Sequence, residues 1–244
     1  MTRKTLLVTG ASSGIGQAIA IMAANRGYDV AVHYSGNEKG AEQTAAGVRS
    51  AGGKAVLIQA DLGDLATIKG LFAQFDSEFD RLDALVNNAG ITVPTTRVEN
   101  YDAARLTHLF TVNLSAPILI AGEAVKRMKS GAVIVNLSSA AARLGSANAF
   151  VDYAASKAGI DIFTKGLSDE VAVQGIRVCG IRPGLIETPM HAKGGVPERA
   201  QQLAKTVPMQ RTGTPDEIAE AVLFLLSDAA GYMTGTTIDV TGGR

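Results

Sequence analysis

Short apolar runs rich in Val, Ile and Leu punctuate the chain at 5–9, 29–33, 54–59, 84–87, 132–137, 177–181 and 237–240. Each is too short for a helix and suits a strand buried on both faces. Between them the apolar residues recur at helical spacing. Such stretches run from Gly14 through Ile19, Met22 and Ala23 to about Arg26, over 38–50, from a cap at Asp64 to about 79, over 107–129, over 153–174, and from Pro215 to about Leu226. Strand and helix alternate throughout, which predicts the α/β class and a doubly wound parallel sheet flanked by helices on both faces.

The first strand opens onto Gly10-Ala-Ser12-Ser13-Gly14-Ile15-Gly16 and then a helix. That order makes a nucleotide-binding entrance: Gly10 permits the tight turn, Gly14 and Gly16 let backbone approach a pyrophosphate, and the first helical N–H groups meet its charge. The spacing is neither the commoner Gly-x-Gly-x-x-Gly nor a P-loop, which needs a following Lys-Ser or Lys-Thr. The second strand leads into Tyr34-Ser35-Gly36-Asn37, where an NAD site places an acid for the adenosine ribose. Positions 33–37 carry none, and Glu38 is the nearest. Ser35, Asn37 and the helix N-terminus, with Lys39 nearby, are expected to receive a 2′-phosphate, so NADP(H) is favoured over NAD(H). Asn37 also reads as a helix cap and Glu38 as a first-turn acid.

Asp61-Leu62 closes the third strand, where ligands of open α/β sheets lie, and fits either an adenine contact or a plain turn. The fourth strand runs into Asn87-Asn88-Ala89-Gly90, small and amide residues that let a ligand lie against backbone. Asn113 falls inside a predicted helix, an unfavourable place unless it faces water or makes a specific bond. Tyr153 and Lys157 project from one helix face, so the ammonium can sit beside the phenol. Useful proton transfer at pH 7 to 8 asks for a tyrosine shift of roughly 2 to 3 units, or about 3 to 4 kcal/mol. A unit charge ~4 Å away at an effective dielectric of ~20 supplies about 4 kcal/mol before the lysine's desolvation, so a second cation such as an oxidised nicotinamide would help. Beyond the sixth strand, 182–190 breaks regular structure. Residues about 189–210, with Pro189, Pro197, Pro208 and Gly194-Gly195, suggest a mobile segment over a site or a long surface loop.

The 244 residues, 46% hydrophobic with 27 glycines, suit one domain over 1–244 with a large core and many tight turns. Lys+Arg and Asp+Glu both count 23, which leaves no electrostatic footprint for nucleic acid or an anionic membrane. Cys179 is alone, so no disulfide forms within the chain, and it reads as a small buried residue. The apolar run after Arg3-Lys4 ends at once in a glycine turn, and no later stretch is expected to approach membrane-spanning length, so a cytoplasmic protein is expected. His33, His108 and His191 are scattered, and no metal motif is present.

Over essentially its whole length the chain resembles the short-chain dehydrogenase/reductase family. The matching residues are Thr9 to Gly16, Asp61, Asn87-Asn-Ala-Gly90, Asn113, Ser139, Tyr153-Ala-Ala-Ser-Lys157, Pro183-Gly184 with Thr188, and the tail from Tyr232-Met-Thr-Gly235 to Gly242-Gly243, in order and at family spacing. The resemblance implies a seven-stranded Rossmann sheet, NAD(P) binding, and a homotetramer built on the two long helices and the C-terminal segment. It implies hydride transfer to or from a small-molecule carbonyl or alcohol. Tyr153 would be the acid/base, Lys157 the holder of the nicotinamide ribose that lowers the tyrosine pKa, Ser139 the carbonyl-oxygen donor, and Asn113 the holder of a proton-relay water. Gly14, Ile15, Asp61, Asn88 and Thr188 match cofactor contacts, Ile186 falls at the nicotinamide amide, and Tyr34, Leu62, Ala89, Gly90, Pro183 and Gly184 complete the expected lining.

Two departures stand out. Ser139 precedes Tyr153 by 14 positions where many members have 13, so Ser138 stays a claimant and 140–152 must absorb one residue. Lys126-Arg127 and Lys129 offer a modest counterpart to the basic residues that meet an acyl carrier protein, and equally suit a helix end. A 3-oxoacyl reductase and an NAD-dependent sugar or polyol dehydrogenase both stay open, with a nicotinamide-binding sensor without turnover as the rival class. Segments 92–97, 144–152 and 190–209 are expected to shape the pocket.

Overall fold

Leu6, Leu7 and Val8 are fully buried, and a strand with no solvent-facing side needs helices on both faces. The computed structural model, which describes residues 3–188 and 203–244, supplies them. Strands β1 (Lys4–Val8), β2 (Tyr28–Tyr34), β3 (Ala55–Gln59), β4 (Ala84–Asn87), β5 (Val133–Leu137), β6 (Arg177–Pro183) and β7 (Thr237–Val240) form one sheet in the order β3-β2-β1-β4-β5-β6-β7. Every pairing is parallel. Among the described residues the α-helices are α1 (Gly14–Asn25), α2 (Glu38–Ser50), α3 (Thr67–Glu78), α4 (Ala103–Phe110), α5 (Ala116–Val125), α6 (Ala141–Leu144), α7 (Val151–Val171) and α8 (Pro215–Leu226).

The period of two along each strand sorts the core into two layers. Val8, Val32, Val86 and Val135 pack with Ile19 and Ala23 of α1, Val48 of α2, and Ile218 and Val222 of α8. Leu7, Ala31, Leu85 and Ile134 pack with Phe72 and Phe75 of α3, Ile120 and Ala124 of α5, and Val171 of α7. The chain's direction across the sheet reverses between β1 and β4. A crevice opens there at the strands' carboxyl ends, and this is where open α/β sheets bind ligands.

The predicted alternation holds, and the departures have local causes. The helix expected at 107–129 starts at Ala103, because the Asp102 side chain accepts the Arg105 N–H at 2.7 Å and caps it. It passes through a π-helical turn, Thr111–Ser115, and ends at Val125. This continuous run, Ala103–Val125, contains an 18-residue window of mean hydropathy 1.3 and is long and apolar enough to cross a membrane by length and composition, which corrects the expectation that no stretch approaches that length. Here Leu109, Ala116, Ile120 and Ala124 of the run are buried in the core. Asp64 does not cap α3 directly. Its Oδ1 accepts the Ala66 N–H in a turn, and the helix begins at Thr67. Strand β6 continues two residues past its expected end, through Pro183, which still serves as an acceptor: its carbonyl takes the Ala140 N–H at 2.9 Å. Helix α8 matches its prediction, closed by a capping box in which Thr214 and Glu217 each accept the other's N–H.

Of the segment expected to be mobile, 189–202 lie outside the described residues. In its remainder Val207 is buried and the Met209 N–H bonds the Gly242 carbonyl. Cys179 is free and buried, and burial pushes its thiol pKa up.

Candidate active site

The glycine turn is built by close approach. Gly10 has φ +64°, and a Cβ there would stand 2.9 Å from the Ala89 Cα; a Cβ at Gly16 would enter the Gly10 carbonyl oxygen. The Thr9 hydroxyl accepts the N–H groups of Asn88 and Ala89, both at 3.0 Å, while the Asn88 amide donates to the carbonyls of Thr9 and Gly10 at 2.8 and 3.0 Å. These bonds lash the end of β4 to the turn. Ser13 is the N-cap of α1, yet its hydroxyl makes no capping bond. The first N–H groups of a 12-residue helix are therefore left without a side-chain cap, and Gly14 and Ile15 border the cavity in front of them. The cradle fits the pyrophosphate of a dinucleotide.

That cavity, about 410 Å³, runs past Ser12, Ser35, Gly36, Asn37, Asp61, Leu62 and Gly90. Asp61 both borders it and makes a turn, its Oδ1 accepting the Gly63 N–H at 2.9 Å. The Asn37 carboxamide is used at both ends: Oδ1 accepts the Gly40 N–H at 3.2 Å, capping α2, and Nδ2 donates to the Ser12 carbonyl at 3.0 Å. Tyr34, expected at the cofactor, has its side chain in the core on the α1 and α2 side, because the strand's alternation turns it inward. Its neighbour His33 borders the cavity instead.

Sequence reasoning set His33 aside, since a lone histidine in an apolar strand carries no motif. Its Nδ1 accepts the Gly10 N–H at 3.0 Å, so the ring proton is assigned to Nε2, which faces the Ala60 carbonyl at 3.1 Å. Burial lowers its pKa to about 4. As pH falls from about 6.5 to 4, the unfolded chain takes up a proton that the folded chain refuses, so stability declines by about 3 kcal/mol in all. Urea unfolding between pH 7 and 4 should show this slope in the native chain and lose that share in His33→Gln. Equal acid slopes in the two proteins would refute the neutral-histidine assignment.

A second cavity, about 490 Å³, adjoins the first and shares Ile15, Asn88, Gly90, Thr92 and Thr188 with it. Its wall holds Ser139, Tyr153, Lys157, Pro183, Gly184 and Ile186. Between the two serines the geometry discriminates. The Ser138 hydroxyl is buried and donates to the Lys157 carbonyl at 3.0 Å, whereas Ser139 Oγ accepts the Ala141 N–H at 3.1 Å and interacts with the Tyr153 phenol. The Lys157 ammonium donates to the Leu137 carbonyl at 2.8 Å and lies 5.9 Å from the Tyr153 ring centroid. Burial lowers its pKa to about 8, with Asp161 opposing. Burial also dominates Tyr153 and raises its pKa, with Ser139 opposing. In the chain alone, then, the expected lowering of the phenol by its lysine does not appear. The ammonium sits over the ring and is itself destabilised by burial.

Asn113 is fully buried in the π turn and stands behind Gly90. Its carboxamide closes a two-bond ring with Ile91, accepting the N–H at 2.8 Å and donating to the carbonyl at 2.9 Å, and these are the specific bonds that an interior asparagine needs. Of the basic residues past the end of α5, Arg127 is paired with Asp76 and Glu123 and Lys126 with Glu123, while Lys129 is exposed.

A family model described as enoyl-(acyl carrier protein) reductase matches residues 10–244. The chain is 48% identical over 243 residues to the uncharacterized oxidoreductase YgfF of Escherichia coli, covering 98% of each. It is 38% identical over 244 residues to the 3-oxoacyl-[acyl-carrier-protein] reductase FabG of Staphylococcus aureus, covering 98% of this chain and 97% of that one. A short-chain dehydrogenase from Burkholderia cenocepacia, solved in complex with NADP, superposes with a TM-score of 0.92 at 31% identity over 99% of this chain and 98% of that one.

Proposed function

Because this chain belongs to the short-chain dehydrogenase/reductase family of oxidoreductases, we propose that it moves a hydride between NADP(H) and a carbonyl or secondary-alcohol carbon, the whole of 1–244 acting as one dinucleotide-binding and catalytic domain. The observation that carries this reading is that Ser139, Tyr153 and Lys157 wall one cavity continuous with the glycine-turn groove. When bound, the nicotinamide supplies or accepts the hydride and in its oxidised form adds positive charge beside Tyr153. Tyr153 gives the substrate oxygen its proton in reduction and takes it back in oxidation, and Ser139 donates a hydrogen bond to the developing oxyanion. Lys157 holds the ribose and, together with the oxidised nicotinamide, adds positive charge near the phenol. Asn113 is the holder of a relay water, with its side chain locked by Ile91.

The ribose end supports NADP(H): Ser35, Gly36 and Asn37 border the groove, and no acid stands at 33–37. A charge-assisted contact to a 2′-phosphate predicts NADPH binding roughly 10- to 100-fold tighter than NADH in fluorescence titrations at matched ionic strength. Tighter NADH binding would move the specificity to Glu38, and a folded sample that binds neither would remove the dinucleotide reading. Leu144, Phe150 and Leu185 on the wall favour a substrate with an apolar body, as in a 3-oxoacyl chain, over a sugar or polyol. Exposed Leu106, Ile118 and Leu119 on α4 and α5, and Val151 and Ile162 on α7, support a homotetramer built on those helices. A cytoplasmic location completes the reading.

A further inference from the structure

Arg105, in the first turn of α4, is the hub of a cluster that none of these roles uses. Its Nε donates to Asp152 Oδ2 and its Nη1 to the Pro94 carbonyl, both at 2.7 Å, and the guanidinium lies 4.6 Å from the Tyr101 ring centroid. The other carboxylate oxygen of Asp152 accepts the Tyr101 hydroxyl at 3.1 Å and the backbone N–H of Tyr153 at 2.9 Å. The Asp152 side chain is 0% exposed and that of Arg105 12%. Two further bonds join the same walls: the Thr96 N–H to the Ala149 carbonyl at 3.3 Å, and Arg97 Nη1 to Asn148 Oδ1 at 3.1 Å. An acid in the first turn of α7 would serve the helix equally well in water. Burying it with a guanidinium costs desolvation that an apolar pair avoids. What the buried pair adds is a rigid link. One end holds the segment that starts at Thr92, on the wall of both cavities, and the other holds the backbone of Tyr153.

We propose that Arg105 and Asp152 are positioning residues that, by tying the segment leading away from Thr92 to the backbone of Tyr153, fix the gap between Thr92 and the Tyr153 phenol, and so the space in which the substrate carbonyl lies. The proposal rests on Tyr153 as the acid/base. Arg105, Asp152, Pro94 and Tyr101 border neither cavity and act through Tyr153, which walls the cavity of Ser139 and not the dinucleotide groove, so the effect falls on the ketone more than on the cofactor. Arg105→Ala is expected to lower kcat roughly 10- to 100-fold and raise the ketone KM, with the NADPH Kd unchanged within about two-fold. Arg105→Lys separates the two ends of the link, because one ammonium can hold Asp152 but cannot also span to the Pro94 carbonyl as the fork does. It should recover most of kcat and leave KM raised. If Arg105→Ala does not fold, Arg105→Lys and the near-isosteric Asp152→Asn decide, the latter expected to lose kcat at unchanged NADPH affinity. Kinetic constants of the Arg105 variants that match the native enzyme, or losses shared equally by NADPH binding, overturn the proposal. Tyr153→Phe is measured alongside. If it keeps turnover, the acid/base reading fails and takes this proposal with it; if it is inactive while the Arg105 variants are normal, the positioning role alone fails.

Discussion

Tyr153→Phe is expected to lower kcat by roughly 10²- to 10⁴-fold while the NADPH Kd and the unfolding midpoint stay close to native. The ring packs edge-on to Phe150, with centroids 6.5 Å apart, and phenylalanine preserves that contact, so the substitution removes little besides the hydroxyl. Burial holds the phenol above its ordinary pKa, so it carries its proton through neutral pH and is ready to donate in the reductive direction. Single-turnover reduction of a ketone, followed by NADPH absorbance, reads the loss directly. Turnover within a few-fold of native in a folded, cofactor-binding variant would sink the assignment.

Lys157→Met is expected to abolish useful turnover and stabilise the fold. The pKa of about 8 means that burial of the ammonium opposes folding by about 3 kcal/mol at neutral pH, and its bond to the Leu137 carbonyl returns roughly 1. Methionine fills similar volume without the charge, so denaturant unfolding at pH 7 should show a net gain of about 2 kcal/mol. The lysine's folded pKa is depressed, so its cost is full below pH 8 and fades between about 8 and 10.5 as the unfolded chain also loses its proton. The gain should therefore shrink across that window. Activity should fall on the order of 10²- to 10³-fold, because the variant loses both the ribose contact and the positive charge near the phenol. A variant no more stable than native at pH 7 would show that the buried ammonium is better compensated than its shifted pKa implies.

The centre of the sheet was legible because its inner strands are buried on both faces, which writes them as unbroken apolar runs such as Leu6-Leu-Val8 and Val133-Ile-Val135. The glycine turn, Ser139, Tyr153 and Lys157 were legible because each requires a particular residue type at a fixed spacing, and the fold brings them to adjoining cavities. Tyr34 lies in the core and His33 borders the groove, which the sequence could not say, since alternation along a strand tells which residues share a face and not which face is open. The π turn left no trace in the apolar pattern, since one added residue per turn barely disturbs the period. Arg105 and Asp152 were invisible for a different reason: 47 positions separate them, and an ion pair closed only by tertiary packing has no local signature.

Asn37 joins the helix that follows β2 to the carbonyl of Ser12, so the proposed ribose-end selectivity and the shape of the glycine-turn cradle share one side chain. For anyone redesigning coenzyme use, that coupling dictates where to begin. An acid placed at Asn37 would bring the charge NADH prefers but delete the donor that holds Ser12, loosening the cradle as it retargets it. Gly36, where an added Cβ meets nothing within 4 Å, carries no such duty. Retargeting that starts there, with Ser35, changes the coenzyme and leaves its seat intact.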